Sequence, residues 1–98
     1  MKTRVVNCQK ESYDVYIGRP SKWGNPFIIG KDGNRKEVIR KYREWISLQS
    51  ELLENLNELE GKRLGCHCSP QACHGDVLVE LLEHIITDEL LLYMDKNE

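Results

Sequence analysis

Ninety-eight residues, 40% of them hydrophobic and 31% charged, make a single domain with one modest core. A formal net charge of −2 argues against a surface that grips duplex DNA, which needs a basic excess. No apolar run approaches the roughly 20 residues of a membrane span, and the opening MKTRVVNC lacks the apolar stretch of a signal peptide, so a soluble, cytoplasmic chain is expected.

TRVVNC (residues 3–8) is short and rich in β-branched residues and reads as a strand. YDVYIG (13–18) alternates Tyr13, Val15 and Ile17 against Asp14 and Tyr16, which predicts a second strand. GRPSKWGNPFIIGKDG (18–33), with its glycines and prolines, is read as loop. From Asn34 the period changes. Val38, Ile39, Tyr42, Trp45 and Ile46 fall at helical spacing, behind an Asn34/Glu37 capping box. Leu52, Leu53, Leu56 and Leu59 continue the helical pattern towards Gly61, a C-terminal stop; ISLQS is the candidate break between two helices. KRLGCHC (62–68) predicts a third strand and SPQA a turn. A third helix is expected from about Ala72, burying Val77, Leu78, Leu81, Leu82 and Ile85. The tail TDELLLYMDKNE carries one more apolar patch, Leu90 to Met94, read as a short helix in preference to an edge strand.

The order β-β-α(α)-β-α contains a βαβ crossover, which makes its two strands parallel. The expected fold class is therefore α/β, one small domain over residues 1–98, with a three- or four-stranded, mostly parallel sheet and flanking helices. Ligands of parallel sheets bind outside the carboxyl ends of the strands. The loops after the second and third strands would both emerge there, so the two chemically unusual stretches, GRPSKWGNPF and CSPQACHG, should face each other across a cleft.

The first loop offers Arg19 and Lys22 as cations for an anionic ligand and Ser21 in the same turn. Trp23 would be a stacking face for a base, Gly24 a backbone geometry closed to other residues, and Asn25 both a donor and an acceptor. The competing reading is that Trp23, Pro26 and Phe27 cap the core and Arg19 pairs with a surface carboxylate.

CHCSPQACHG (66–75) packs three of four cysteines and two of three histidines into ten residues. Clustered cysteines in a reducing compartment point to metal or catalysis. Cys66, Cys68, Cys73 and His74 could surround zinc as Cys₃His, but C-x-C-x₄-C-H is unlike paired knuckles, and adjacent ligands at 73 and 74 suit one tetrahedral centre badly. The favoured alternative needs no metal or other cofactor. Cys73, at a helix N-terminus whose free N–H groups point into the cleft, would be a stabilised thiolate; His74 or His67 would serve as base, and Asp76 would orient a histidine or touch a ligand. Cys66 and Cys68 are then packing residues, Cys8 a neighbouring buried thiol, and His84 structural or exposed.

With these residues laid out, the chain resembles the family called domain of unknown function 4326, found in bacteria, phages and some eukaryotes. The resemblance covers residues 3 to 85 and leaves 86–98 as a variable tail. It rests on YIGRPSKWGNPF and GKRLGCHCSPQACHGDVL. The matching positions are Gly18, Arg19, Ser21, Trp23, Gly24, Asn25, Pro26 and Phe27, then Cys68, Pro70, Cys73, His74 and Leu78. The position of His67 is often aromatic in that family, which weakens a role for it as base or ligand. The resemblance implies neither a reaction nor a substrate.

The sequence reading is thus a domain that binds an anionic small ligand, a nucleotide by preference, in a cleft lined by Arg19, Ser21, Trp23, Gly24, Asn25, Cys73, His74 and Asp76. Any chemistry would fall to Cys73 or His74, acting on a nucleotide or nucleic-acid component. No membrane and no duplex DNA are expected as partners. The rival is a structural zinc module, or a non-catalytic interaction module of a phage or host system.

Overall fold

The computed structural model describes residues 2–84. The expected helix or strand at Leu90 to Met94, and the core position at Ile85, lie outside the described residues. Three strands, β1 (Arg4–Asn7), β2 (Val15–Tyr16) and β3 (Arg63–Cys66), form one sheet in the order β1-β3-β2. Both pairings are parallel, Val5 lying opposite Leu64 and Tyr16 opposite Gly65. β3 is central, with Leu64, Gly65 and Cys66 all buried, as expected of a strand flanked on both edges. At the entry of β2, Asp14 accepts hydrogen bonds from the backbone N–H and the guanidinium of Arg63. Those bonds hold the Asp14 carboxyl below its ordinary pKa.

α1 (Arg35–Ile46) begins with the expected capping box. Asn34 accepts from the Glu37 N–H and Glu37 reaches back to the Asn34 N–H. Its buried stripe, Val38, Tyr42 and Ile46, has the i, i+4, i+8 spacing of one helix face. The long apolar run then breaks into a short α2 (Ser50–Glu54) and a 3₁₀ turn (Leu56–Leu59) that buries Leu56 and Leu59. Gly61 follows with φ of 73°, a backbone conformation that favours glycine. α3 (74–84) buries Val77, Leu78 and Leu82. Among the described residues no helix is long and apolar enough to cross a membrane.

One core cluster joins the sheet to all of this: Ile17 from the end of β2, Tyr42 and Ile46 from α1, Leu64 and Cys66 from β3, and Val77, Leu78 and Leu82 from α3. Trp23 belongs to it too, at 2% exposure. Its backbone carbonyl accepts a 2.7 Å hydrogen bond from the Tyr42 hydroxyl. Burial, followed by the neighbouring Cys73, pushes the pKa of that hydroxyl up, so it stays a donor. The expected exposed stacking face is therefore corrected: Trp23 is a core residue, because its loop folds inward over α1.

Candidate functional site

The carboxyl ends of β2 and β3 open into a cleft of about 490 Å³. Its walls come from the loop after β2 (Gly18, Arg19, Asn25, Phe27, Ile28, Ile29), the start of α1 (Arg35, Val38, Ile39), and the β3–α3 connection (Cys66, His67, Cys68, Ala72, Cys73, His74). The strand-end rule thus places the cleft correctly, for the reason that two parallel neighbours must release their loops on the same edge.

The loop after β2 is held by its own short polar side chains. The Ser21 hydroxyl accepts the Trp23 N–H and the Asn25 carbonyl oxygen accepts the Phe27 N–H, while the Asn25 amide donates to the Val38 carbonyl of α1. Ser21 and Asn25 thus shape the loop, and only Asn25 also borders the cleft. Gly24 is corrected as well. The positive-φ glycines are 30, 33 and 61, not 24; a Cβ at 24 would come within 3.1 Å of the Arg19 backbone, so the glycine lets the two segments pack closely. Lys22 points away from the cleft and pairs with Glu58 at 3.0 Å.

Arg19 is exposed on the cleft rim, and no carboxylate among the described residues pairs with its guanidinium. Arg35 is the second cation of the cleft. One guanidinium nitrogen donates to the Ala72 carbonyl at 3.0 Å, tying α1 to the β3–α3 loop. Sequence reasoning missed Arg35. The available signal was its place directly after the N-cap, where a cation opposes the helix dipole. Among the described residues no Asp or Glu lines the cleft.

His74, the first residue of α3, forms part of the floor at 8% exposure. Its Nε2 lies 2.7 Å from the Ile17 carbonyl. A carbonyl only accepts, so Nε2 carries the proton. Burial holds the imidazole below its ordinary pKa against that bond, and the Arg19 charge adds to the lowering. The ring is therefore neutral near pH 7, with the lone pair on Nδ1. Among the described residues Nδ1 has no hydrogen-bond partner and every fully buried side-chain nitrogen or oxygen has one, so Nδ1 is not fully buried, and His74 lines the cleft.

Asp76 has a different place from the one expected. It is exposed and accepts the Cys73 N–H at 3.1 Å, while Cys73 Sγ accepts the Gly75 N–H at 3.3 Å. Asp76 thus makes the return half of a capping box, while Cys73, at the N-cap, takes the N2 N–H of Gly75 on its sulfur. Two backbone N–H groups of the first turn are thereby used within the cap, so the expectation of a fully open helix N-terminus facing the ligand does not hold.

The thiols also differ from expectation. Cys66 Sγ and Cys73 Sγ are 3.3 Å apart and both residues are buried. Cys66 takes the Cys73 S–H, and then the backbone N–H groups of Ser69 and Cys68, which lower its pKa against burial. Cys73 donates to Cys66 and is desolvated, so its pKa rises. The expected Cys73 thiolate is corrected: the contact with Cys66 and burial push the Cys73 thiol up, while the same contact and the backbone N–H groups of Ser69 and Cys68 favour the charge on Cys66. Cys68 is half-buried, and Cys8 Sγ lies 3.6 Å from a ring nitrogen of His67, whose ring also meets Tyr16 edge-on. His84 is exposed. Among the described residues no three His, Cys, Asp or Glu side chains are placed to hold a metal ion, so Cys66, Cys68, Cys73 and His74 are not assembled as a zinc set. His74 already spends Nε2 on Ile17, and the Cys66 and Cys73 sulfurs share a proton.

Fold and site together define a small α/β domain with an arginine-bearing cleft at the carboxyl edge of a parallel sheet. The chain belongs to the family described as Domain of unknown function (DUF4326), whose model matches residues 2–84. It is 36% identical over 91 residues to the "Uncharacterized 12.4 kDa protein in nrdA-td intergenic region" of Enterobacteria phage T4, covering 88% of this chain and 82% of that one. It is likewise 36% identical over 99 residues to "Uncharacterized protein R718" of Acanthamoeba polyphaga mimivirus, covering 83% of this chain and 72% of that one. No solved structure matches.

Proposed function

We propose that the cleft binds a phosphate-bearing small molecule, a nucleotide by preference, with His74 as the proton acceptor at its floor. One observation carries the reading. In a chain of net charge −2, the described residues that line the cleft include two arginines and no carboxylate. Guanidinium groups suit phosphate oxygens because their planar forks donate in pairs. Phe27, Ile28, Val38 and Ile39 supply an apolar wall for a ring, the part first assigned to Trp23. A volume of about 490 Å³ falls within the usual range of small-ligand sites.

The chemistry available to such a ligand follows from the floor. Neutral His74 can take a proton on Nδ1, and Nε2–H bonded to Ile17 keeps the ring oriented while it does so. Thermal melts with inorganic phosphate, nucleoside monophosphates and triphosphates, and the matching nucleosides test the proposal. Phosphate-bearing compounds should raise the melting temperature and nucleosides should not. Melts unmoved by every phosphate compound would sink it.

A further inference from the structure

We infer that Cys66 and Cys73 are a redox-active dithiol, which a hydroperoxide small enough to enter the cleft oxidises to an internal disulfide. The pair stands apart from the other two cysteines. The sulfurs of Cys66 and Cys73 are 3.3 Å apart, and a disulfide bond of roughly 2.0 Å needs only a small approach of the two. Cys66 ends β3 and Cys73 caps α3, so the bond would staple the sheet to the helix across the connecting turn. Both residues line the cleft although they are only 2% and 3% exposed. That geometry admits a peroxide and turns away bulky disulfides.

The two cysteines are not equivalent. The Cys66 sulfur accepts the Cys68 and Ser69 N–H groups as well as the Cys73 S–H, so it is the sulfur prepared to carry charge and to attack. In the first step the Cys66 thiolate displaces hydroxide from hydrogen peroxide. The S–O bond forms, the O–O bond breaks, and Cys66 becomes a sulfenic acid. In the second, Cys73 gives up its proton and its sulfur attacks Cys66, expelling the hydroxyl as water. The sum is two thiols oxidised by two electrons, with peroxide reduced to two waters. Because the resolving thiol is already in contact, disulfide formation outruns further oxidation of Cys66. No anionic ligand is needed, so this activity stands or falls independently of the phosphate reading.

The test treats the full-length protein with hydrogen peroxide, quenches it, and alkylates the free thiols after denaturation. Intact mass should show loss of two hydrogens and alkylation of two thiols in place of four. Peptide mapping should join Cys66 to Cys73, and dithiothreitol should restore four alkylated thiols. In Cys73→Ser the same treatment should leave a sulfenic acid on Cys66 that dimedone traps. Cross-links that contain Cys8 or Cys68, or a protein that keeps Cys66 and Cys73 reduced while Cys8 and Cys68 oxidise, would overturn the inference. Should Cys73→Ser fail to fold, the wild-type masses alone decide.

Discussion

His74 Nε2 donates a 2.7 Å hydrogen bond to the Ile17 carbonyl, tying the first residue of α3 to the end of β2. Two elements that meet at the cleft are thus joined through a neutral imidazole. Its pKa lies below the ordinary value of 6.5 because the ring is buried. The unfolded chain therefore takes up this proton first as pH falls. Stability is full above about pH 6.5, declines as pH drops through that value, and stops declining below the folded pKa. Thermal melts from about pH 7.5 down to about pH 5 should show this fall, and His74→Gln should flatten it. A melting temperature that rises on acidification, with no difference between wild type and variant, is the contrary result. Nitrogen NMR of the wild type should show the proton on Nε2.

Trp23 separates a packed loop from a stacking platform. As a core residue whose carbonyl meets Tyr42, it should cost about 3–5 kcal/mol of stability when replaced by alanine. Chemical denaturation measures this directly. A loss below about 1 kcal/mol would place the indole outside the core.

Arg19 and Arg35 should divide differently between binding and stability. Arg19→Ala removes an exposed guanidinium that pairs with no carboxylate among the described residues, so stability should change by less than about 0.5 kcal/mol. Phosphate binding should weaken by about 1.5–3 kcal/mol, the usual worth of hydrogen bonds to a charged group. Arg35→Ala should also loosen the β3–α3 loop, because its bond to the Ala72 carbonyl goes with it. Calorimetric titration with the tightest phosphate compound, on both variants, checks the split. Unchanged affinity in both would remove the arginines from the site.

Asp76, expected to orient a histidine or touch a ligand, accepts the Cys73 N–H at the start of α3. Asp76→Ala should cost about 0.5–2 kcal/mol, and Asp76→Asn should recover most of that, since an amide oxygen still accepts the Cys73 N–H. A catalytic carboxylate would behave otherwise, because the amide cannot take a proton. Denaturation midpoints of the two variants tell these roles apart.

Gly75 packs the first turn of α3 closely against side chains of the sheet. A Cβ there would sit 2.8 Å from both Ile17 Cδ1 and Val5 Cγ2. Gly75→Ala should therefore destabilise by about 1–3 kcal/mol through overpacking, even though alanine is the better helix former. A neutral or stabilising effect in the same denaturation assay would mean that a methyl group fits between α3 and the sheet.

Much of the architecture was legible because its signals are local. β-branched residues at 3–8, the Asn34/Glu37 capping box and the helical spacing through Ile46 each reveal an element within a few residues. Parallel pairing followed from the connection lengths, since a crossover with a helix leaves little alternative. The two hallmark stretches also carried the family without any coordinates. Boundaries were less legible. β2 shrank to Val15–Tyr16, and the third helix began at residue 74, where Cys73 and Asp76 close its cap.

By itself, then, the sequence determined the elements, the parallel sheet and the edge on which both unusual loops emerge. All of these depend on periodicity, capping and chain connectivity, which are properties of neighbouring residues. Tertiary structure alone decided which side chains of those loops face inward. A loop has no period from which a buried face can be read, so the sequence leaves Trp23 either as a stacking platform or as a core cap, and the fold buries it with its carbonyl held by Tyr42. Only in three dimensions does Arg35 reach Ala72, 37 positions away, and join the cleft. The thiols were decided in the same way. Cys66 and Cys73 are seven positions apart, and their contact depends on how the end of β3 meets the cap of α3. That meeting sets which sulfur collects the backbone N–H donors, and so which of them carries the charge.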